Sequence, residues 1–303
     1  MTALSPRFEL SWPFLVVAPL LAVLIAGGYA LKASFVDGAS NGIVASGPQT
    51  ITIAPRTFSY RAPGEYTRGG YAVDAPMLTI SATQPLTIMK HQVAKRDYAR
   101  CVADGACAPP EPEFSTPDTH DMPATGINYA DAHAYAAWLS RQTGEIWTLP
   151  TDEQLAFAAG SRFPDDALGR VGGTSRADRW LETYRRETAR NAARAPVPKP
   201  LGAFGENEFG LTDFGGNVWE WTTTCYRRIA LERADQIADE GTTCGVQLVA
   251  GQHRAAMVFF VRNPKGGGCA VGAPPDNLGF RLVKDTRWYA PLLVALRTRG
   301  LLP

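Results

Sequence analysis

The sequence predicts an α+β, loop-rich domain carried behind one N-terminal transmembrane helix, and three observations lead there. Glycine (29) and proline (23) are too frequent for a helix bundle. Short runs of alternating apolar and polar residues are interspersed with helices that carry complete start signals. Residues 12–31 form one apolar, uncharged run of 20 residues, the length that spans a bilayer as a helix. The chain has 303 residues and is 45% hydrophobic, ample for a core. Its net charge of +1 argues against a broad nucleic-acid surface.

From the N-terminus, residues 1–32 read as a signal anchor, with Arg7 before the apolar run and Lys32 after it. The run is longer than the core of a signal peptide, which favours an uncleaved anchor; cleavage near Ala30 or Ala33 is the alternative. Residues 33–50, rich in Gly, Ser and Ala, read as a linker, and residues 51–285 as the main domain. Early strands are expected at Phe58–Tyr60, Leu78–Ile80 and Leu86–Ile88, with a turn at Pro63-Gly64.

Val93–Val102 reads as a helix. Asn128 caps a second helix over Tyr129–Gln142, which Gly144 ends. Thr151 with Gln154 forms a capping box that opens a third through Ala159. Residues 174–194 read as a solvated helix anchored by Trp180 and Tyr184. Residues 222–247 read as a loop, Gln247–Val261 as strand-rich, and Asn277–Val283 as a closing strand whose Arg281 pairs with a buried carboxylate. The tail, 286–303, holds the apolar run Pro291–Leu296 followed by Arg297 and Arg299; it lies on a membrane or packs on the domain.

The five cysteines fit an oxidising compartment, with one left over. Cys101 and Cys107 flank a five-residue loop that a disulfide can close, and Cys225 with Cys244 is the second pair. Cys269 is then free, or exchanges into a pair with Cys225 or Cys244. No C-x₂-C pair supports zinc.

The most informative stretch is Gly210-Leu211-Thr212-Asp213-Phe214-Gly215-Gly216-Asn217-Val218-Trp219-Glu220-Trp221. Its glycines permit tight turns, its carboxylates offer oxygens of the kind Ca²⁺ prefers, and in a strand Trp219 and Trp221 share one face. This run closely resembles the signature of the sulfatase-modifying-factor family, whose enzymes generate formylglycine. Asp131, Ala132, Tyr135, Trp138 and Leu139, the Leu149-Pro150-Thr151 entry to the third helix, and Leu278-Gly279-Phe280-Arg281 match further family patterns. Thr148 and Leu155 depart from it at two structural positions.

The resemblance implies a C-type-lectin-like fold. It also implies a calcium ion held by Asp213 and Glu220 through side chains and by Gly216 and Val218 through backbone oxygens. A second family calcium site keeps only Asn191 here and is not expected. The family's two copper-holding cysteines map by motif register onto Ala255 and Phe260, and no cysteine occurs between Gly245 and Gly268. Copper and formylglycine generation are therefore not expected.

The reading that follows is a single-pass inner-membrane protein with its main domain in the periplasm. It is a binding or maturation accessory rather than an oxidase, with a protein partner such as an extracytoplasmic metalloenzyme. The chain is similar to family members that accompany copper nitrite reductase in denitrification. The alternative is an oxidoreductase of the same fold with altered metal chemistry at His253, Met257 or Cys269. A weaker alternative is a sugar binder that stacks ligand on exposed Trp219 or Trp221. Related iron enzymes use a His-rich helical domain, whereas His91, His120, His133 and His253 are scattered.

Overall fold

The computed structural model describes residues 47–111, 121–168, 197–233, 236–264 and 276–298, with a few positions between 181 and 188. The expected anchor at 12–31, most of the linker, Cys269, Asn191, His120 and most of the helix expected at 174–194 lie outside the described residues. Among the described residues, no helix is long and apolar enough to cross a membrane.

The fold is mixed and sheet-rich. Strands β1 (Thr50–Ile53), β2 (Thr57–Arg61), β3 (Glu65–Arg68), β4 (Tyr71–Val73), β5 (Met77–Ser81) and β6 (Leu86–Met89) come first. Helices α1 (Lys95–Ala103) and α2 (Tyr129–Thr143), strand β7 (Trp147–Thr148) and helix α3 (Asp152–Ala159) follow. Then come β8 (Trp219–Arg233), β9 (Gln236–Ala250), β10 (Arg254–Val258), β11 (Leu278–Gly279), β12 (Val283–Lys284) and helix α4 (Ala290–Thr298). One sheet runs β1-β6-β12-β7; a larger one runs β10-β9-β8-β3-β4, with β11 parallel to the start of β8; β2 and β5 form a separate ribbon.

The helix starts fall where the capping chemistry places them. Asn128 accepts the N–H of Asp131 while Asp131 accepts the N–H of Asn128, and Gly144 closes α2 in the left-handed conformation at φ 69°. Thr151 and Gln154 reciprocate in the same way at α3. α1 begins two residues later than the apolar spacing suggests, because Val93 and Ala94 are engaged in backbone bonds to Phe280, Ala124 and Pro123. Both expected disulfides are present, Cys101–Cys107 and Cys225–Cys244.

The stretch 222–247 is not a loop. It is the greater part of a long β8–β9 hairpin, paired from Glu220↔Ala250 out to Arg233↔Gln236 with several register shifts. Its outer half lacks the apolar alternation of a half-buried strand, and Arg227 and Arg228 are exposed. The pairing is supported instead by the β-branched run Thr222–Thr224, the cross-strand disulfide, and parallel pairing of β3 along Arg228–Ala230. A small cluster of Ala62, Tyr66, Ala75 and Ile229 fastens that outer half.

Two larger apolar clusters form the core. One gathers α1 and α2 around Trp219, Trp221 and Phe280. The other packs α3 against Ile88, Leu211 and Phe214. The Gly210–Trp221 segment passes between them, so the two cores meet at the most distinctive stretch of the sequence.

Candidate functional site

The segment 210–221 begins as a compact turn and ends as the start of β8. Gly210, Asp213 and Gly215 all have positive φ (84°, 62° and 76°). Asp is among the few side chains that tolerate this conformation, because it can bond locally. The Asp213 carboxylate is fully buried and accepts two backbone donors, Gly202 N–H at 2.6 Å and Phe204 N–H at 2.9 Å. Asn217 grips the same approaching segment, accepting from Lys199 N–H and donating to Lys199 O, both at 2.9 Å. From the other side, Arg162 donates to the carbonyls of Phe204, Gly205 and Glu206 at 2.8–3.0 Å. A Cβ on Gly216 would fall 2.5 Å from the Phe204 ring, so glycine is required for this closure. The turn thus serves to hold residues 199–206 in place.

Beyond the turn, β8 carries its side chains alternately into two layers. Trp219 and Trp221 share one core cluster, as a strand dictates. Trp219 donates to His253 O at 3.0 Å, and Trp221 to Ile127 O at 2.9 Å. Both indoles are buried, 5% and 0% exposed, which removes the reading in which either stacks on a sugar.

Between them Glu220 points the other way, into a charged pair with no solvent exposure on either partner. Arg281 Nε reaches one carboxylate oxygen at 2.5 Å and Nη2 the other at 2.7 Å. The remaining guanidinium donors go to Lys90 O and Thr212 O, and Gln92 Nε2 donates to Glu220 at 2.9 Å. Arg281 therefore has the buried carboxylate partner expected of it. The bidentate fork suits guanidinium and carboxylate planes.

These contacts bear on the calcium expectation. Asp213 and Glu220 point at different partners, a backbone loop and an arginine, and a guanidinium already neutralises Glu220. Gly216 N–H turns back onto Asp213 O. As packed, the two side-chain members of the expected calcium set are engaged elsewhere, Asp213 by Gly202 and Phe204 N–H and Glu220 by Arg281 and Gln92.

The stretch that follows β9 is where the register places the copper-binding cysteines. Ala255 is 3% exposed on β10, opposite Val249. Phe260 lies just past the strand, 63% exposed and edge-on to Phe259. Neither offers a thiol. Met257 is fully buried in the apolar core, and His253 is buried against the Trp219 ring at 5.6 Å. Among the described residues, no group of three or more His, Cys, Asp or Glu is placed to hold a metal.

One charged cluster escaped sequence reasoning. Arg254 bridges Asp152 Oδ2 (3.1 Å, from Nη1) and Asp166 Oδ2 (2.9 Å, from Nε), and also donates to Arg61 O. Asp152 is 1% exposed, and its second oxygen, Oδ1, is buried with no hydrogen-bond partner. Desolvation pushes the Asp152 carboxyl up to about 6, against the opposing pull of Arg254. In the sequence Asp152 is simply the first residue of a capped helix, and nothing there links it to Arg254, 102 residues away.

The model of the "Sulfatase-modifying factor enzyme 1-like domain" matches residues 39–286. The chain belongs to this sulfatase-modifying-factor family. Within the family it is similar to the "Formylglycine-generating enzyme" of Mycobacterium tuberculosis, 37% identical over 113 residues that cover 35% of each chain. It is also similar to the "Inactive C-alpha-formylglycine-generating enzyme 2" of Bos taurus, 28% identical over 167 residues covering 53% of this chain and 50% of that one. Matches extend to the "Hercynine oxygenase" of Mycolicibacterium smegmatis, 29% identical over 141 residues, 41% of this chain and 28% of that one. The chain thus spans half or less of the length of these curated relatives.

Proposed function

We propose that this protein is a non-oxidase member of the sulfatase-modifying-factor family, with a C-type-lectin-like domain anchored outside the cytoplasm by residues 12–31. It acts as a binding or maturation accessory for an extracytoplasmic metalloenzyme such as copper nitrite reductase. The carrying observation is the pair Ala255 and Phe260, one packed in the core and one standing in solvent, where the family register asks for two thiolates. A soft Cu(I) ion needs sulfur ligands, and a methyl and a phenyl group supply none. The four described cysteines are closed in disulfides, so they do not substitute. A relative named inactive makes loss of the chemistry within this family a natural outcome.

The second reading, an oxidoreductase with altered metal chemistry, draws on the relatives named hercynine oxygenase. Burial of Met257 in an apolar cluster and of His253 against an indole weighs against it, since a redox ion needs an open coordination position.

The test uses the full chain supplied with copper and oxygen, together with a cysteine-containing sulfatase peptide. Mass spectrometry should find no aldehyde above the enzyme-free control, and affinity capture from membranes should recover a metalloenzyme. Aldehyde formation by the purified chain would overturn the proposal.

A further inference from the structure

The two disulfides of the described residues sit in different surroundings. Cys101 and Cys107 are 0% and 8% exposed, inside the core cluster that holds α1 and α2. Cys244 is exposed and Cys225 half-buried. Exchange requires a thiolate to reach one sulfur, so of these four cysteines Cys244 is the one presented to solvent.

The backbone around this second pair is irregular. Cys225 is paired with Gln247 and the next residue, Tyr226, with Thr243, so Cys244, Gly245 and Val246 bulge from β9 with no partner residue on β8. β10 holds the bulge from its other side: Val246 pairs with Val258, and Gly245 O accepts Phe259 N–H at 3.1 Å. Across the bulge the disulfide takes the place of the missing rungs to β8. Opening it leaves the hairpin supported. Beyond the bulge β8 still pairs with β9 from Tyr226 to Arg233 and with β3 along Arg228–Ala230. The Tyr226 hydroxyl still donates to Glu65, and Ile229 keeps its cluster.

A second observation points to the dithiol form. Gln247 is 3% exposed, and its Nε2 donates to Cys244 O at 2.7 Å. Its Oε1 is buried with no hydrogen-bond partner among the described residues. A buried acceptor without a donor favours any state that supplies one. Cys225 lies directly across the ladder from Gln247, where opposed side chains share a face with Cβ atoms about 5 Å apart. A disulfide sulfur carries no proton, whereas a thiol does.

We infer that Cys225–Cys244 is an exchange site for a dithiol reductant, and that the opened form is held by a hydrogen bond from the Cys225 thiol to Gln247 Oε1. A thiolate of the dithiol attacks Cys244 Sγ, forming a mixed disulfide and expelling Cys225 as thiolate. The second sulfur of the dithiol then displaces Cys244 and closes its own disulfide. Two electrons pass to the protein, and its two thiolates take up the two protons that the dithiol releases. This site is independent of the accessory role proposed above.

The experiment equilibrates the full chain, as Cys269→Ser, in graded mixtures of reduced and oxidised dithiothreitol. Free thiols are trapped by alkylation and located by peptide mass spectrometry, and hydrogen exchange of α2 and α3 reports the fold. The expected result is that Cys225 and Cys244 label together, at a reduced-to-oxidised ratio about tenfold lower than Cys101 and Cys107 require. Protection of α2 and α3 should stay native at that ratio. Gln247→Met, which removes the acceptor, should raise the ratio needed to open the pair by about fivefold, the worth of one hydrogen bond. Opening of Cys101–Cys107 first, or of both pairs only as the helices lose protection, overturns the inference. A midpoint unchanged in Gln247→Met overturns it as well, because the opened thiol then has no acceptor there.

Discussion

Replacing Glu220 with alanine is expected to destabilise the domain by about 3–5 kcal/mol, the cost of leaving one partner of a buried ion pair alone. Glu220 and Arg281 are both fully buried, and the guanidinium would lose both of its charge-assisted bonds. Gln92 would lose its acceptor as well. The remaining donors of Arg281 stay on Lys90 O and Thr212 O, which fixes the cation in place without a counter-charge. Thermal or urea unfolding of Glu220→Ala measures the loss. Pairing it with Arg281→Met should recover a large part of it, because an apolar side chain of similar length tolerates the same cavity. If Glu220→Ala unfolds like the wild type, the buried fork does not stabilise the domain. The same variant separates two roles of the carboxylate. A structural role predicts destabilisation that is unchanged by added calcium or by a chelator.

The second large effect is a pH slope set by Asp152. An unfolded aspartate titrates at its ordinary value of 3.8, whereas burial holds the native carboxyl protonated up to about 6. Between these values the native state binds more protons than the unfolded chain, so stability falls as pH rises from about 4 to about 6 and levels off above. A gap of roughly two units corresponds to about 3 kcal/mol. Asp152→Asn keeps an oxygen for Arg254 but cannot ionise, so this component should vanish from its stability curve. Other carboxylates contribute opposite slopes. Asp285 is held below its ordinary range by hydrogen bonds from Arg287 and loses stability as pH falls. The difference between variant and wild type, measured from pH 4 to 7, isolates Asp152. Parallel curves would contradict the assignment.

The sequence was most legible where a short-range device sets the structure. Asn128 with Asp131, Thr151 with Gln154, and Gly144 each act within a few residues, so the helices start and stop where their chemistry places them. The Cys101–Cys107 pair follows from a separation of 6, whereas Cys225–Cys244, 19 apart, competed in the sequence with pairing to Cys269; the Arg281 partner follows from the rule that buried charge is matched. Legibility ended where long-range packing decides. The outer half of the β8–β9 hairpin has polar strands and no apolar period, so it reads as loop. Only its pairing with β3 and its disulfide make it sheet. Asp213 and Glu220 offered a plausible calcium set on chemistry alone. Their directions depend on Gly202, Phe204 and Arg281, which the local sequence does not locate. Asn217 and Arg162, which hold the 199–206 segment, gave no stronger signal than any other polar residue in a turn.

The central claim is that this member of the family keeps the scaffold and has lost the redox centre. It is tested most directly by metal analysis of the full chain, purified without chelator and with its free thiols counted. The account predicts no stoichiometric copper or iron and at most one free thiol, that of Cys269, since the other four cysteines are paired. Stoichiometric copper or iron that is lost on His253→Ala would contradict it, and would mean that a redox site has been rebuilt without the two thiolates.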